Sequence, residues 1–116
     1  MKKTTTKTTK TTKTQRAPKP KPVITPATLY RTDGTSAEVL PTDGNYFTLE
    51  ALQGYVGGDI ELIYSADGGT IMVVNEEGLL KRLPLNAKAM EWTLNHQGVA
   101  RKIVGDVVVM NAKQMR

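Results

Sequence analysis

The sequence of 116 residues contains no cysteine and a single histidine, His96. Without cysteine, disulfide bonds, thiolate chemistry and the usual structural zinc sites are excluded. One histidine is too few for an ordinary transition-metal site, so we expect no metal and no cofactor. Aromatic residues make up 5% of the chain and do not alternate with Lys or Arg as in a stacking platform for single-stranded nucleic acid.

Long apolar runs are also missing. No stretch approaches the roughly 20 residues that a membrane helix requires. The N-terminus begins with positive charge but lacks the apolar segment of a secretory signal. We therefore expect a cytoplasmic protein with no membrane partner.

Acidic residues are absent from residues 1–22, and this absence divides the chain by charge. Residues 23–116 hold eight bases and all eleven acids, so the net charge of +5 consists of +8 in the tail and −3 in the body. The eight tail cations are Lys2, Lys3, Lys7, Lys10, Lys13, Arg16, Lys19 and Lys21. Such an arm can lie along phosphates without sequence preference, so we predict nucleic-acid attachment by the tail. The alternative is a solubilising arm with no specific partner.

The tail has no residues from which a core could form. It reads KTTTKTTKTTKT from Lys3 to Thr14 and alternates Pro with Lys from Pro18 to Pro22. Charged and polar residues of this kind cannot offset the entropy of ordering, so we predict a disordered basic tail over residues 1–22. Residues 23–116 then form one domain.

Most predicted strands of this domain are joined by hairpins, with helices interspersed among them. Asp33-Gly34 predicts a two-residue hairpin turn of type I′ between two strands within Thr28 to Leu40. Asp59 to Gly78 reads as a second hairpin with apolar residues on both faces of both arms, which places both arms at the centre of a sheet. Leu79 to Leu83 is either a short edge strand or an extended return, and Ile103 to Met110 predicts a buried last strand.

Two short helices are predicted from their caps. Thr48 begins a helix from Leu49 to Val56, and Asn86 begins one from Ala87 to about Leu94. Asn95 to Lys102 is polar and reads as a loop, and the last residues are expected to fray. The fold class is α+β, with a mainly antiparallel sheet of five or six strands and two short helices.

Four motifs occur in an order and spacing that resemble a known family. They are Leu52-Gln53-Gly54-Tyr55-Val56-Gly57-Gly58-Asp59-Ile60-Glu61, Asn75-Glu76-Glu77-Gly78, Leu83-Pro84-Leu85-Asn86 with Ala89, and Ile103-Val104-Gly105-Asp106-Val107-Val108. Together they resemble domain of unknown function family 3846 of phages and mobile elements, over about residues 50–110. The resemblance implies a compact α+β fold and a phage, prophage or plasmid origin. It implies no reaction, cofactor or catalytic residue.

Asn75 to Gly78 is the densest polar cluster of the body. Neighbouring carboxylates in an extended segment point to opposite faces, so Glu76 and Glu77 are poorly placed as a catalytic pair. The favoured interpretation is a turn in which Asn75 bonds to nearby backbone and Gly78 takes a positive φ. The functional alternative is a ligand or partner site, for which the candidate residues are Asn75, Glu76, Glu77, Asn86, Tyr64 and Trp92.

The histidine, the serines and Asp106 are interpreted as structural residues and not as catalytic ones. His96 reads as a surface loop residue, and a triad with Ser36 or Ser65 would require unrelated loops to converge. Asp106 within an apolar run predicts a bulge or a kink at Gly105, or an ion pair with Arg101 or Lys102. We identify no catalytic residue and expect that the protein is not an enzyme.

These observations favour a non-enzymatic accessory protein of a phage or mobile element. Its body would bind a host protein or a ligand, while the tail provides attachment to nucleic acid. The alternative is sequestration of a nucleotide-like ligand by a pocket near Asn75 to Gly78. The oligomeric state is left open, with Leu79 to Leu83 or the first strand as a possible exposed edge.

Overall fold

An antiparallel sheet forms the centre of the computed structural model, which describes residues 24–115. The predicted tail, residues 1–22, lies outside the described residues. The strands are β1 (Ala27–Tyr30), β2 (Ser36–Val39), β3 (Ile60–Tyr64), β4 (Thr70–Asn75) and β5 (Val107–Asn111). Their order across the sheet is β2-β1-β5-β4-β3, and every neighbouring pair is antiparallel. The α+β class and the antiparallel sheet are confirmed, with five strands.

The last strand, not the second hairpin, occupies the middle of the sheet. Strand β5 pairs with β1 on one side and β4 on the other, which suits its nearly unbroken run of buried valines and methionine. The prediction that both arms of the second hairpin are central holds for β4 and is wrong for β3, which lies at an edge. The first strand is internal, so the edges are β2 and β3.

Two helices cover the sheet, one on each face. Helix α1 (Leu49–Val56) packs over a cluster that includes Phe47, Val73 and Val108, and α2 (Ala87–Gln97) covers one that includes Met72 and Val107. Side chains that follow one another along a strand point to opposite faces, so β4 and β5 supply both clusters. This arrangement explains why the second hairpin is apolar on both sides even though β3 is at an edge. Within residues 24–115, no helix has the length and apolar character that crossing a membrane requires.

Both predicted helix starts are confirmed. The Thr48 hydroxyl accepts a hydrogen bond from Ala51 N–H at 3.2 Å, and the Asn86 side chain accepts one from Ala89 N–H at 3.0 Å. Helix α2 extends through Gln97, three residues beyond the predicted end, and stops at Gly98 with φ +85°. A glycine in the left-handed region therefore ends this helix, and the polar residues before it do not.

The first hairpin turn differs from the predicted type. The Arg31 carbonyl accepts from Gly34 N–H at 3.1 Å, and Arg31 N–H donates to the Thr35 carbonyl at 2.9 Å. The pairing of Arg31 with Thr35 leaves a loop of three residues, 32–34. Gly34 has φ +89° but Asp33 does not have a positive φ, so the turn is not type I′. The Asp33 carboxylate instead accepts from both the backbone N–H and the hydroxyl of Thr35, at 2.9 and 2.6 Å.

Two segments near the C-terminus also depart from expectation. The last strand begins at Val107, because Gly105 has φ +80° and turns the chain just before it. The final residues were expected to fray, but Ala112–Gln114 forms a 3₁₀ turn. Gln114 is buried, and its Nε2 donates to the Thr25 carbonyl at 2.7 Å and to Asn45 Oδ1 at 3.1 Å. These bonds connect the end of the domain to its beginning.

Candidate functional site

Asn75, the first residue of the predicted polar cluster, is a buried structural connector. Its Nδ2 donates to the Val56 carbonyl at the end of α1 at 3.1 Å, and its Oδ1 accepts from Glu77 N–H at 2.8 Å. The amide therefore joins the helix to the turn that follows β4. This is the local backbone bonding that the sequence predicts for Asn75.

Gly78 is required for close packing and not for a positive φ. Positive-φ glycines occur elsewhere among the described residues, and Gly78 is not one of them, so that part of the prediction is wrong. A Cβ at Gly78 would lie 2.8 Å from Val104 Cγ2 and 3.3 Å from the Asn75 carbonyl oxygen. The turn after β4 thus presses directly on the segment that precedes β5.

This turn, residues 77–82, is one helical turn closed by a Schellman motif. The backbone N–H of Lys81 donates to the Glu77 carbonyl at 2.9 Å. The N–H of Arg82 donates to the Leu79 carbonyl at 3.1 Å, and the N–H of Leu83 donates to the Gly78 carbonyl at 3.0 Å. Leu79 to Leu83 is therefore neither a strand nor an extended return. Arg82 occupies the position that glycine usually takes, with φ +55°.

The two glutamates of the cluster have separate environments. Glu77 forms an ion pair with Lys81 at 3.8 Å, and both side chains are about half exposed, at 53% and 46%. An exposed pair of this kind adds at most about 1 kcal/mol. Glu76 is exposed and lines a neighbouring cleft. The two carboxylates therefore do not share one site, although residues 77–82 form a helical turn and not the extended segment from which the sequence predicts their separation.

That cleft, which we call the polar cleft, has a volume of about 230 Å³. It opens between the edge of the sheet and the chain that returns from α2. Carboxylates and cations both line it, over an apolar floor. The lining residues are Glu61, Ile63, Val74, Asn75, Glu76, Leu79, Arg101, Lys102, Ile103 and Val104.

A second depression, which we call the leucine groove, adjoins the polar cleft. It measures about 280 Å³ and is lined by Leu79, Arg82, Leu83, Leu85, Lys102 and Val104. Leu79, Lys102 and Val104 are common to both depressions. Sequence reasoning missed the groove. The signal available was the segment LLKRLPL from Leu79 to Leu85, in which large apolar residues alternate irregularly with cations.

The other candidate residues lie apart from these depressions. Asn86 is fully buried, and its Nδ2 donates to the Tyr30 and Gly105 carbonyls, both at 2.9 Å. Trp92 is buried on α2, with its ring stacked on His96 at 4.5 Å. Tyr64 is half exposed and pairs with Ile71, at the end of the β3–β4 hairpin that lies away from Asn75. The structure therefore places Asn75 and Glu76 together in the polar cleft and does not bring Asn86, Tyr64 or Trp92 to it.

His96 lies in the last turn of α2 and not in a loop, and it approaches the loop of Ser65. Ala66 N–H donates to the His96 carbonyl at 2.9 Å, so these two segments do converge. The Ser65 hydroxyl, however, donates to Asp67 Oδ1 at 2.7 Å, and His96 Nδ1 lies 2.9 Å from the Trp92 carbonyl. The Ser65 hydroxyl is directed at a carboxylate, so a nucleophile and base arrangement is not formed.

Two carboxyl groups in the hairpin turns, those of Asp33 and Asp67, have lowered pKa values. The Ser65 hydroxyl, and next the Gly69 N–H, hold the pKa of Asp67 below its usual value. Hydrogen bonds from the side chain and the backbone of Thr35 lower the pKa of Asp33 in the same way. Both carboxylates are fixed by their own turns, so the shifts reflect turn structure.

Asp106 is placed by the backbone of the first hairpin. Its Oδ1 accepts from Thr32 N–H at 3.0 Å, directly after the kink at Gly105. Among residues 24–115, the ion pair with an N···O distance within 4.0 Å is the one between Lys81 and Glu77. The predicted alternative, an ion pair of Asp106 with Arg101 or Lys102, is therefore wrong. In the same part of the chain, no three His, Asp or Glu residues lie close enough to hold a metal ion.

The fold and these depressions define a small α+β domain with an antiparallel sheet between two helices and a charged, partly apolar surface at one end. The chain belongs to the family described as domain of unknown function (DUF3846), whose model matches residues 27–115. The match therefore includes the first hairpin, beyond the 50–110 region in which the motifs lie. The chain matches none of the curated proteins and none of the solved structures with which it was compared.

Proposed function

We propose that this chain is a non-enzymatic accessory protein of a phage or mobile element, in which the body binds a partner protein and the basic tail attaches to nucleic acid. The observation that carries the proposal is the exposure of three leucines within one seven-residue connection. Leu79, Leu80 and Leu85 are 60%, 83% and 54% exposed. Clustered apolar side chains on a small domain are typical of a protein-binding surface.

The charges around these leucines support the same role. The polar cleft beside them contains both carboxylates, from Glu61 and Glu76, and cations, from Arg101 and Lys102. An apolar centre with a charged rim resembles the composition of protein interfaces, in which the rim directs the partner and sets its register. The folded body therefore supplies the selective contact.

The tail supplies an unselective contact. Its eight cations are not opposed by any acid, whereas the body carries a net charge of −3. Phosphates attract the cationic tail and repel the acidic body. Nucleic acid would therefore be held at the tail, and the body would remain free for its partner.

A salt titration of duplex DNA binding tests the role of the tail. If all eight cations contact phosphates, the slope of log affinity against log salt is about −7, because each contact contributes about −0.9. A matched variant with the eight tail cations changed to glutamine keeps the length of the tail and is expected to lose most of that slope. An unchanged slope and affinity in this variant would refute the tail assignment.

The second candidate function is capture of a nucleotide-like ligand in the polar cleft. Arg101 and Lys102 favour it, because both cations line the cleft beside Asn75 and could contact phosphate. Against it, the cleft of about 230 Å³ is smaller than the roughly 300 Å³ at which pockets for such ligands begin. Glu61 and Glu76 would also repel phosphate.

Thermal-shift measurements with cyclic and ADP-ribose-type nucleotides test this second function. A ligand at 100 times its dissociation constant adds about 2.7 kcal/mol to the stability of the folded state. Stabilisation that disappears in Arg101→Ala would support capture in the cleft. No shift with any nucleotide of either type would rule against it.

A further inference from the structure

The leucine groove is a cationic exception on an acidic body. Residues 23–116 contain eleven acids and eight bases, yet the charged residues that line the groove are both cations, Arg82 and Lys102. Its walls are the apolar side chains of Leu79, Leu83, Leu85 and Val104. The polar cleft beside it, by contrast, has two carboxylates, Glu61 and Glu76, and two cations, Arg101 and Lys102. Of the two adjoining depressions, the leucine groove therefore has the net positive lining.

The floor of the groove is packed directly on backbone. A Cβ at Gly105 would lie 2.8 Å from Leu83 Cδ1, and one at Gly78 would lie 2.8 Å from Val104 Cγ2. Leu83 and Val104 thus rest against glycines that leave just enough space for them. A floor held in this way is preformed, and a partner would not have to order it on binding.

The backbone at Arg82 is strained in the same place. Its φ of +55° lies in the left-handed region, where an L-residue with a Cβ is disfavoured and glycine is the usual occupant of this turn position. An arginine here gains nothing for the turn that glycine would not supply. Strain of this kind clusters at binding and catalytic sites, and Arg82 provides one of the two cations of the groove.

We propose that the leucine groove binds an acidic segment of the partner protein, with one large apolar side chain of that segment between Leu79, Leu83 and Leu85. Carboxylates that flank this side chain would pair with Arg82 and Lys102. The inference rests on the proposed function and names the chemistry of the partner. The volume of about 280 Å³ suits a single side chain better than a whole ligand.

Charge excludes the nearest competing occupant, which is the chain's own tail. The tail carries eight cations and no acid, so the cations of the groove repel it. A segment from another protein with the opposite charge is attracted by the same groove.

The test uses the ¹⁵N-labelled full chain and three synthetic peptides. The first contains Asp, Glu, Leu and Phe; the second has Lys in place of each acid; the third has Ser in place of each apolar residue. The first peptide is expected to shift the amide signals of Leu79 to Leu85 and Lys102 to Val104 in a saturable manner. Equal shifts of these signals with the Lys peptide or the Ser peptide would overturn the proposal, as would shifts confined to other residues.

Variants with an intact tail separate the groove from the tail, which can itself attract an acidic peptide. Arg82→Gly combined with Lys102→Gln is expected to weaken binding about tenfold or more, because both pairing cations are removed. Lys113→Gln, a change of an exposed lysine outside the groove, is the matched control and should leave the affinity unchanged. Equal affinity of the wild type and the double variant would overturn the assignment.

A second pair of variants tests the apolar wall. Leu79→Ser should weaken binding severalfold, whereas Leu94→Ser should not, since Leu94 is similarly exposed but lies on α2 outside the groove. Concentration-dependent shifts of the groove signals without any peptide would instead assign the groove to a second copy of the chain. None of these results depends on the salt slope of DNA binding, so failure of the groove and failure of the tail are distinguishable.

Discussion

Arg82 combines an unfavourable backbone with an exposed charge at the rim of the leucine groove. Its φ of +55° places an L-residue where glycine is preferred. We predict that Arg82→Gly stabilises the fold by about 1 kcal/mol, because relief of the left-handed conformation, which costs an L-residue about 1–2 kcal/mol, exceeds the roughly 0.5–1 kcal/mol lost to the greater flexibility of glycine in the unfolded state. Urea unfolding of the two proteins measures the difference.

Arg82→Ala is the matched control for that measurement. Alanine removes the charge but keeps the Cβ, so its stability should not rise. If alanine and glycine stabilise equally, repulsion between cations and not backbone strain is the reason. A gain in stability together with weaker peptide binding would make Arg82 a residue kept for binding at the expense of stability.

Asn86 performs two structural tasks, whereas Thr48 performs one. Thr48 caps α1, but Asn86 caps α2 and also donates to the Tyr30 and Gly105 carbonyls from a fully buried position. We predict that Thr48→Ala costs about 1 kcal/mol. Asn86→Ala should cost about 3 kcal/mol, because the Gly105 carbonyl in a buried bond and the Tyr30 carbonyl in a partly buried one also lose their donor.

Asn86→Asp separates the two tasks. Aspartate keeps an oxygen for the cap but cannot donate to the two carbonyls, so we expect most of the Asn86→Ala loss to remain. Chemical denaturation of the variants, with the denaturant dependence checked for constancy, gives the comparison. Losses of equal size in Thr48→Ala and Asn86→Ala would mean that only the cap matters.

At the scale of elements, the turn between β3 and β4 is held by a short network around Asp67. Because the Ser65 hydroxyl is the largest cause of its lowered pKa, we predict that Ser65→Ala raises the pKa of Asp67 toward the ordinary value. A carboxyl ¹³C titration of both proteins measures the shift. Thr35→Ala, which should raise the pKa of Asp33 and leave Asp67 unchanged, is the control.

The lowered pKa also fixes the direction of the pH dependence. A carboxyl group with a depressed folded pKa stabilises the protein above its unfolded pKa of about 3.9, and this stabilisation disappears as the pH falls through the folded value. The wild type should therefore lose more stability than Ser65→Ala on acidification. The opposite order would show that Asp67 is not held in its charged form by Ser65.

Helices were more predictable than strand positions because the signals that define helices are local. Thr48, Asn86 and Gly57 act within a few residues, and their helices begin or end where the sequence predicts. The place of a strand in a sheet depends on partners far along the chain. The apolar pattern of β3 fits either a central strand or an edge strand that is covered on both faces. Strand β3 is at the edge because it pairs with β4 alone.

At the scale of the whole molecule, two apolar clusters share the strands β4 and β5. A change in the cluster under α1 should therefore be felt by Trp92, which lies in the cluster under α2. We predict that Leu52→Ala, a truncation of a fully buried side chain, costs about 3 kcal/mol. The unfolding curve from Trp92 fluorescence should shift by the same amount as the curve from far-ultraviolet circular dichroism.

Coincidence of the two curves is the test of one cooperative unit. Leu94→Ala, which truncates an exposed leucine on α2, is the control and should shift neither curve by more than about 0.5 kcal/mol. If Leu52→Ala moves the circular dichroism curve and leaves the fluorescence curve in place, the two faces of the sheet unfold separately.

The sequence by itself determined the division of charge, the α+β class, the helix caps and the structural bonding of Asn75, because each depends on composition or on residues close together in the chain. Tertiary structure alone decided the central position of β5, the close packing of Gly78 against Val104 and the separation of Asn75 from Tyr64 and Trp92. It also brought Arg82 and Lys102, which are twenty positions apart, to one groove. The physical reason is that contacts between distant segments depend on strand order and on the direction of side chains, and neither can be read from local pattern.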